Sequence, residues 1–174
     1  CAILFAFKND IINEKTEFSA FDGVHKAEII DDELIKMEMK INSDIIQNKY
    51  GTWLDTGSPH LVIEKENTDK LDVNLEGSSI RYNDHYKREG VNVNFVEKLS
   101  DETFKIRTYE RGVENETLAC GTAACAASVV AIMFHKCDNE LSVSLPGGDL
   151  NIFYEINKNI IMSGKTELSY EGNF

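Results

Sequence analysis

The run Thr117-Leu-Ala-Cys120-Gly-Thr-Ala-Ala-Cys125-Ala-Ala-Ser-Val-Val130-Ala-Ile-Met-Phe134 decides how the rest of the chain must be arranged. From Ala123 to Cys137 there is neither proline nor glycine, so this stretch can continue as one helix. Between Ala123 and Phe134 the side chains are apolar or small on every face, a pattern that calls for burial on all sides. At about 1.5 Å per residue the helix is ~20 Å long, the span of a strand of about six residues. Threading a partly closed barrel of antiparallel strands satisfies such a helix, and alanines near its start let the sheet approach closely. The expected fold class is α+β.

Cys120 stands at the mouth of this helix. The unpaired amides of a first turn and the positive end of the helix dipole stabilise a thiolate or bind an anion, and both effects lower a cysteine pKa. A nucleophile or base is one reading of Cys120, and a half-buried structural cysteine at a helix start is the other.

Outward from the helix, the chain reads as strands. Glu17 to Ala20 and Val24 to Ile30 are strand-like, and Leu34 to Ile41 alternates in period two, forming a hairpin with the preceding segment across Asp31-Asp32-Glu33. Asn42 to Tyr50 is polar apart from Ile45-Ile46 and is read as a boundary. Trp53 to Ile63 reads as strand, Gly/Pro corner, strand, and a short helix is expected around Glu76 to Arg81. Val91, Val93 and Phe95 alternate with Asn92 and Asn94, so the asparagines point away from the apolar face. Phe104 to Tyr109, Leu141 to Leu145, Leu150 to Ile156 and a last segment near Ile160 to Tyr170 complete the strands, with Pro146 to Asp149 as a turn.

The 174 residues carry a formal net charge of −12, which argues against nucleic acid or an anionic membrane as partner. The longest apolar stretches fall far below the ~20 residues of a membrane span. Cys1, Cys120, Cys125 and Cys137 fit neither a zinc frame nor a dense disulfide scaffold, so no metal is expected and a reducing cytoplasm fits best. The chain opens on Cys1 within a helix-like segment running to Lys8, as the remainder of a longer polypeptide would.

Four segments together carry a resemblance. Asp55-Thr-Gly-Ser-Pro-His60, Gly90-Val-Asn-Val-Asn-Phe95, Tyr109-Glu-Arg-Gly112 and Thr117-Leu-Ala-Cys-Gly-Thr-Ala-Ala-Cys-Ala126 resemble, in order and approximate spacing, the carboxy-terminal half of the diaminopimelate epimerase family. The resemblance implies two pseudo-symmetric lobes facing each other across the active site, each a strand-rich barrel around a helix with a cysteine at its mouth. It also implies a cofactor-independent reaction in which one thiol removes the α-proton of diaminopimelate and the other delivers a proton to the opposite face, converting the LL form to meso.

On the same resemblance Cys120 is the catalytic thiol, and Glu110 and His60 help set its protonation. Gly121 and Thr122 offer backbone amides to a carboxylate, Arg111 grips the distal carboxylate, and Asn92 and Glu110 contact substrate. Ser58 stands where many family members have asparagine, so a shorter hydroxyl must make that contact. Glu110 and Arg111 are adjacent and reach one pocket only if their strand ends or bulges there. The expected organisation is residues 1–41 as a remnant of the amino-terminal lobe, 42–163 as the catalytic lobe, and 164–174 as a terminal strand returning to the first. The missing lobe is the expected partner, a homodimer stays open, and the chain alone is expected to be inactive. Two alternatives stand beside this reading: a related two-thiol racemase acting on proline or another small acid, and a non-catalytic binding domain that retains the fold.

Overall fold

The computed structural model describes residues 1–135, 137–167 and 172. Helix α1 (Ala2–Lys8) precedes the antiparallel strands β1 (Lys15–Ala20), β2 (Gly23–Ile29) and β3 (Leu34–Met39). The β2–β3 turn is closed by Asp31, whose Oδ1 accepts the amides of Glu33 and Leu34 at 2.9 and 2.8 Å. Then come β4 (Ile46–Asn48), β5 (Gly51–Asp55), β6 (Pro59–Glu64), helix α2 (Val73–Arg81), β7 (Asn92–Lys98), β8 (Thr103–Glu110) and β9 (Asn115–Thr117). Helix α3 (Gly121–His135) leads to β10 (Glu140–Leu145), β11 (Gly148–Phe153) and β12 (Ile160–Lys165). Residues 168–170 of the expected terminal strand lie outside the described residues.

All the strands belong to one sheet ordered β1-β2-β3-β12-β11-β10-β8-β7-β6-β5-β4, with β9 paired to β8. The ends of this order, β1 and β4, do not pair with each other, so the sheet curls without closing. It is mixed: β6–β7 and β8–β10 are parallel and the other pairs antiparallel. Parallel neighbours need a crossover, and α2 lies within one connection while β9 and α3 lie within the other.

The curl wraps α3. Ala123 through Ile132 are all buried, packed with Leu54, Val62, Val96, Ile106, Leu141, Val143, Ile152 and Ile160 from the surrounding strands. Only at its last turn does the helix emerge, with Met133 and Phe134 exposed. The opposite face of β6–β8 is covered by α2, through Val73 against Leu61, Val93, Phe95 and Tyr109. Strand β7 is thus buried on both faces, so the asparagines do point away from Val93 and Phe95, but into a second interior. Gly77 permits the α2 contact, since a Cβ there would stand 2.3 Å from the Cβ of Tyr109. A third cluster, Leu4, Ile29 and Ile35, seats α1 on β2 and β3.

The structure revises several boundaries. The polar segment 42–50 contains β4, α2 begins at Val73 and not near Glu76, and β9 is an additional strand. Strand β12 begins at Ile160 as expected, and there Ile160 pairs with Met39 of β3.

Candidate active site

The predicted residues converge where β6 and β7 start and β8 ends, beside the start of α3. Cys120 immediately precedes the helix and its carbonyl accepts the Ala124 amide at 3.1 Å, so it occupies the N-cap. Its sulfur lies 3.4 Å from the Thr122 hydroxyl, beside the first-turn amides of Thr122 and Ala123. The expectation of a lowered thiol pKa is corrected. Burial pushes the Cys120 thiol up, and the Glu110 carboxylate pushes it the same way. The hydrogen bonds from Thr122 and the first-turn amides pull it down, but do not outweigh them. Cys120 therefore rests as S–H. Cys125, one turn on in α3, is wholly buried and its thiol is pushed higher still by burial.

His60, near the start of β6, is fully buried. Its Nε2 lies 2.9 Å from Thr122 Oγ1 and its Nδ1 3.1 Å from Asn94 Nδ2. Burial, reinforced by the charge of Arg111, lowers its pKa to about 4, so the ring is neutral. Thr122 also ties the helix start to the β5–β6 corner, its carbonyl accepting the Thr56 hydroxyl at 2.8 Å.

Asn92 holds the neighbouring corner. Its amide donates to Ser58 Oγ at 2.9 Å and to the Pro59 carbonyl at 3.0 Å, and its oxygen accepts the Arg111 amide at 2.9 Å. Strand β8 ends at Glu110, so Arg111 sits in the turn beyond it, the condition that lets adjacent residues serve one site. The Arg111 guanidinium donates to the Glu89 carbonyl at 3.1 Å and reaches Ser58 Oγ at 3.5 Å. Gly90, at φ +77°, makes room for it: a Cβ there would lie 2.8 Å from Arg111 Cδ and 2.7 Å from Arg81 Cζ. Glu110 accepts the Thr117 hydroxyl at 2.7 Å, bracing the segment that leads into Cys120. Gly121 meets Met162 of β12, whose sulfur would be 3.0 Å from an added Cβ.

The structure thus brings Ser58, His60, Asn92, Glu110, Arg111, Cys120, Gly121 and Thr122 to one corner of the sheet. Sequence reading passed over Asn94 and Arg81. Asn94 lies two residues from Asn92 on the same face, and that period-two spacing was the available signal.

A buried helix wrapped by a curled mixed sheet is a fold shared with known epimerases and phenazine-biosynthesis proteins. A hydroxyproline epimerase from Agrobacterium vitis superposes with TM-score 0.65 at 12% identity, covering 98% of this chain and 64% of that one. A PhzC/PhzF-type protein from Clostridium difficile superposes with TM-score 0.66 at 12% identity, covering 99% and 70%. The sequence narrows this class: the diaminopimelate epimerase family model matches residues 52–169. Diaminopimelate epimerase of Flavobacterium psychrophilum is 40% identical over 176 residues, covering 98% of this chain and 69% of the relative. That of Aquifex aeolicus is 36% identical over 186 residues, covering 99% and 66%. The chain belongs to the diaminopimelate epimerase family, and it spans about two thirds of the length of these relatives.

Proposed function

We propose that this chain carries one of the two proton-transfer thiols of an epimerase that interconverts LL- and meso-diaminopimelate without a cofactor. The observation that carries the reading is the Cys120 sulfur at the start of α3, within reach of the Thr122 hydroxyl and two first-turn amides. Residues 1–41 are read as part of a first lobe, 42–163 as the catalytic lobe, and 164–174 as the expected return to the first. A second thiol comes from sequence outside these 174 residues. A cytoplasmic setting keeps both thiols reduced.

The substrate α-carboxylate lies against the amides of Gly121 and Thr122, and Arg111 grips the distal carboxylate with its planar fork. Ser58 offers its hydroxyl to the substrate. The Asn92 side-chain oxygen, with one lone pair on the Arg111 amide, keeps another for the ammonium group. The second thiol, as thiolate, takes the α-hydrogen as a proton. The Cα–H electron pair moves into the carboxylate, and the charge that develops there is stabilised by the α3 amides. Cys120 then delivers its proton to the opposite face: S–H breaks, Cα–H forms with inverted configuration, and Cys120 is left as thiolate. Burial and Glu110 suit Cys120 to the protonated role in this direction, with His60 acting on the same thiol through Thr122.

The test is Cys120→Ser in the full-length protein. An alcohol is a far weaker acid than a thiol, so epimerisation should fall by orders of magnitude while the thermal melt is kept. Near wild-type turnover would remove Cys120 from the chemistry. Turnover of diaminopimelate but not of proline is expected, because proline has no second carboxylate for Arg111.

A further inference from the structure

Between the sheet and α3 runs a chain of side-chain hydrogen bonds that ends at the thiol. Thr108 Oγ1 lies 3.1 Å from Asn94 Oδ1, Asn94 Nδ2 3.1 Å from His60 Nδ1, His60 Nε2 2.9 Å from Thr122 Oγ1, and Thr122 Oγ1 3.4 Å from Cys120 Sγ. Asn94, His60 and Thr108 are buried, so water is not the alternative partner for their polar atoms. The hydrogens in such a chain can all point one way or all the other. A neutral imidazole donates from one nitrogen and accepts at the other, and a hydroxyl has a single hydrogen.

Two backbone groups break this tie. Asn94 Nδ2 also faces the carbonyl oxygens of Leu61, at 3.1 Å, and Asn92, at 3.3 Å. Carbonyl oxygens only accept, so the amide nitrogen must be on this side. The opposite orientation would set the Asn94 oxygen against both of them in a buried space. With the nitrogen there, Asn94 donates to His60 Nδ1, which must carry a lone pair. The ring hydrogen is then on Nε2 and is donated to Thr122 Oγ1.

We propose that Asn94 is a positioning residue of this site. It holds His60 in the Nε2–H tautomer, so that the ring donates to Thr122 Oγ1 and leaves the hydroxyl hydrogen to be given to the Cys120 sulfur when that is a thiolate. The chain carries no proton to or from substrate. It supplies a directed donor to the thiolate that remains after Cys120 gives up its proton, a catalytic consequence that rests on the function proposed above. The reverse order of hydrogens would favour the S–H form and oppose that step. The charged or titratable groups around the pair are Glu110 and Cys125 beside the thiol, Arg111 beside His60, and Asp22, whose carboxylate lies across Gly57 from the Thr122 methyl. Changes at position 94 leave all four in place.

The first test needs no substrate, and its outcome is independent of whether the protein is an epimerase. Long-range nitrogen–proton NMR of the ¹⁵N-labelled chain at pH 7 should show His60 Nδ1 as the pyridine-type nitrogen and Nε2 as the protonated one. The opposite tautomer, or an imidazolium, would overturn the proposal. Asn94→Asp, where its side-chain ¹³C shift shows it ionised, can only accept and should put a hydrogen on Nδ1; an ionised Asp with Nδ1 unchanged would show that Asn94 does not set the tautomer. Asn94→Leu keeps the volume and removes the donor. Alkylation of Cys120, followed by mass spectrometry of its peptide across pH, should then titrate later and run roughly tenfold slower at neutral pH, the loss of about one hydrogen bond. In a Thr122→Val background Asn94→Leu should add nothing, because the link is already cut. A full additional effect there would mean that Asn94 acts by another route.

Discussion

Acidification should destabilise this protein through His60 in a window set by its burial. The ring has no exposed surface, and its pKa falls from an ordinary 6.5 to about 4. A group depressed in the folded state contributes stability that is fully present above its unfolded pKa and is lost as pH falls toward its folded pKa. The unfolded chain takes up a proton below about pH 6.5, while the folded chain resists until about pH 4. At about 1.36 kcal/mol per unit, the cost is about 2 kcal/mol at pH 5 and about 3 kcal/mol at pH 4. The assay is urea unfolding at a series of pH values from 7.5 to 4 for wild type and for His60→Gln, which cannot titrate. Carboxylates contribute to both curves and cancel in the difference. Wild type should lose about 2 kcal/mol more than the variant between pH 7 and pH 5. Parallel curves would show that His60 is not held neutral by its surroundings, and the reasoning about the buried chain from Asn94 to Cys120 would fail with it.

Arg111→Lys keeps the charge but loses the planar fork, so KM for diaminopimelate in the full-length protein should rise by a factor corresponding to about 1–3 kcal/mol, with kcat less affected; unchanged KM would return Arg111 to a solvated turn residue. Gly77→Ala improves helix propensity by about 1 kcal/mol but sets a methyl 2.3 Å from Tyr109 Cβ, so α2 must lift from β8. Overpacking of this kind should give a net loss of about 1–3 kcal/mol in urea unfolding, and a stabilised variant would contradict the close α2–β8 contact.

What could be read in advance follows the physics of each element. The run from Ala123 to Phe134 announced a buried helix because nothing on it tolerates water, and ten consecutive buried residues bear that out. The strands from Trp53 to Ile63 were visible from apolar runs on either side of a Gly/Pro corner, and Phe104 to Tyr109 by period two. Strand β9 was not, because Asn115-Glu-Thr117 is three polar residues held by pairing with β8 and by the Asn74 side chain of α2, contacts no local pattern encodes. The start of α2 was missed although Asp72 carried the signal: its side chain accepts the Leu75 amide at 2.9 Å. The parallel pairs β6–β7 and β8–β10 were likewise hidden, since pairing direction depends on where crossovers pass.

The site divides in the same way. Cys120, Gly121 and Thr122 were legible because a helix mouth is a local feature. The protonation state of Cys120 was not, because the opposing burial and the Glu110 charge come from packing and from a strand ten residues away in sequence. Asn94 read as a strand asparagine; only the tertiary placement of His60 and of the Leu61 and Asn92 carbonyls gives it a role.

The central claim, that Cys120 is one of two thiols acting on opposite faces of an α-carbon, is tested most directly by proton NMR of LL-diaminopimelate in D₂O. The full-length protein should form the meso isomer with deuterium at the inverted carbon. The 174-residue chain, holding one helix-mouth thiol, should leave the substrate unchanged, neither inverted nor exchanged. Sustained inversion by the 174-residue chain, or by full-length protein carrying Cys120→Ser, would contradict the account.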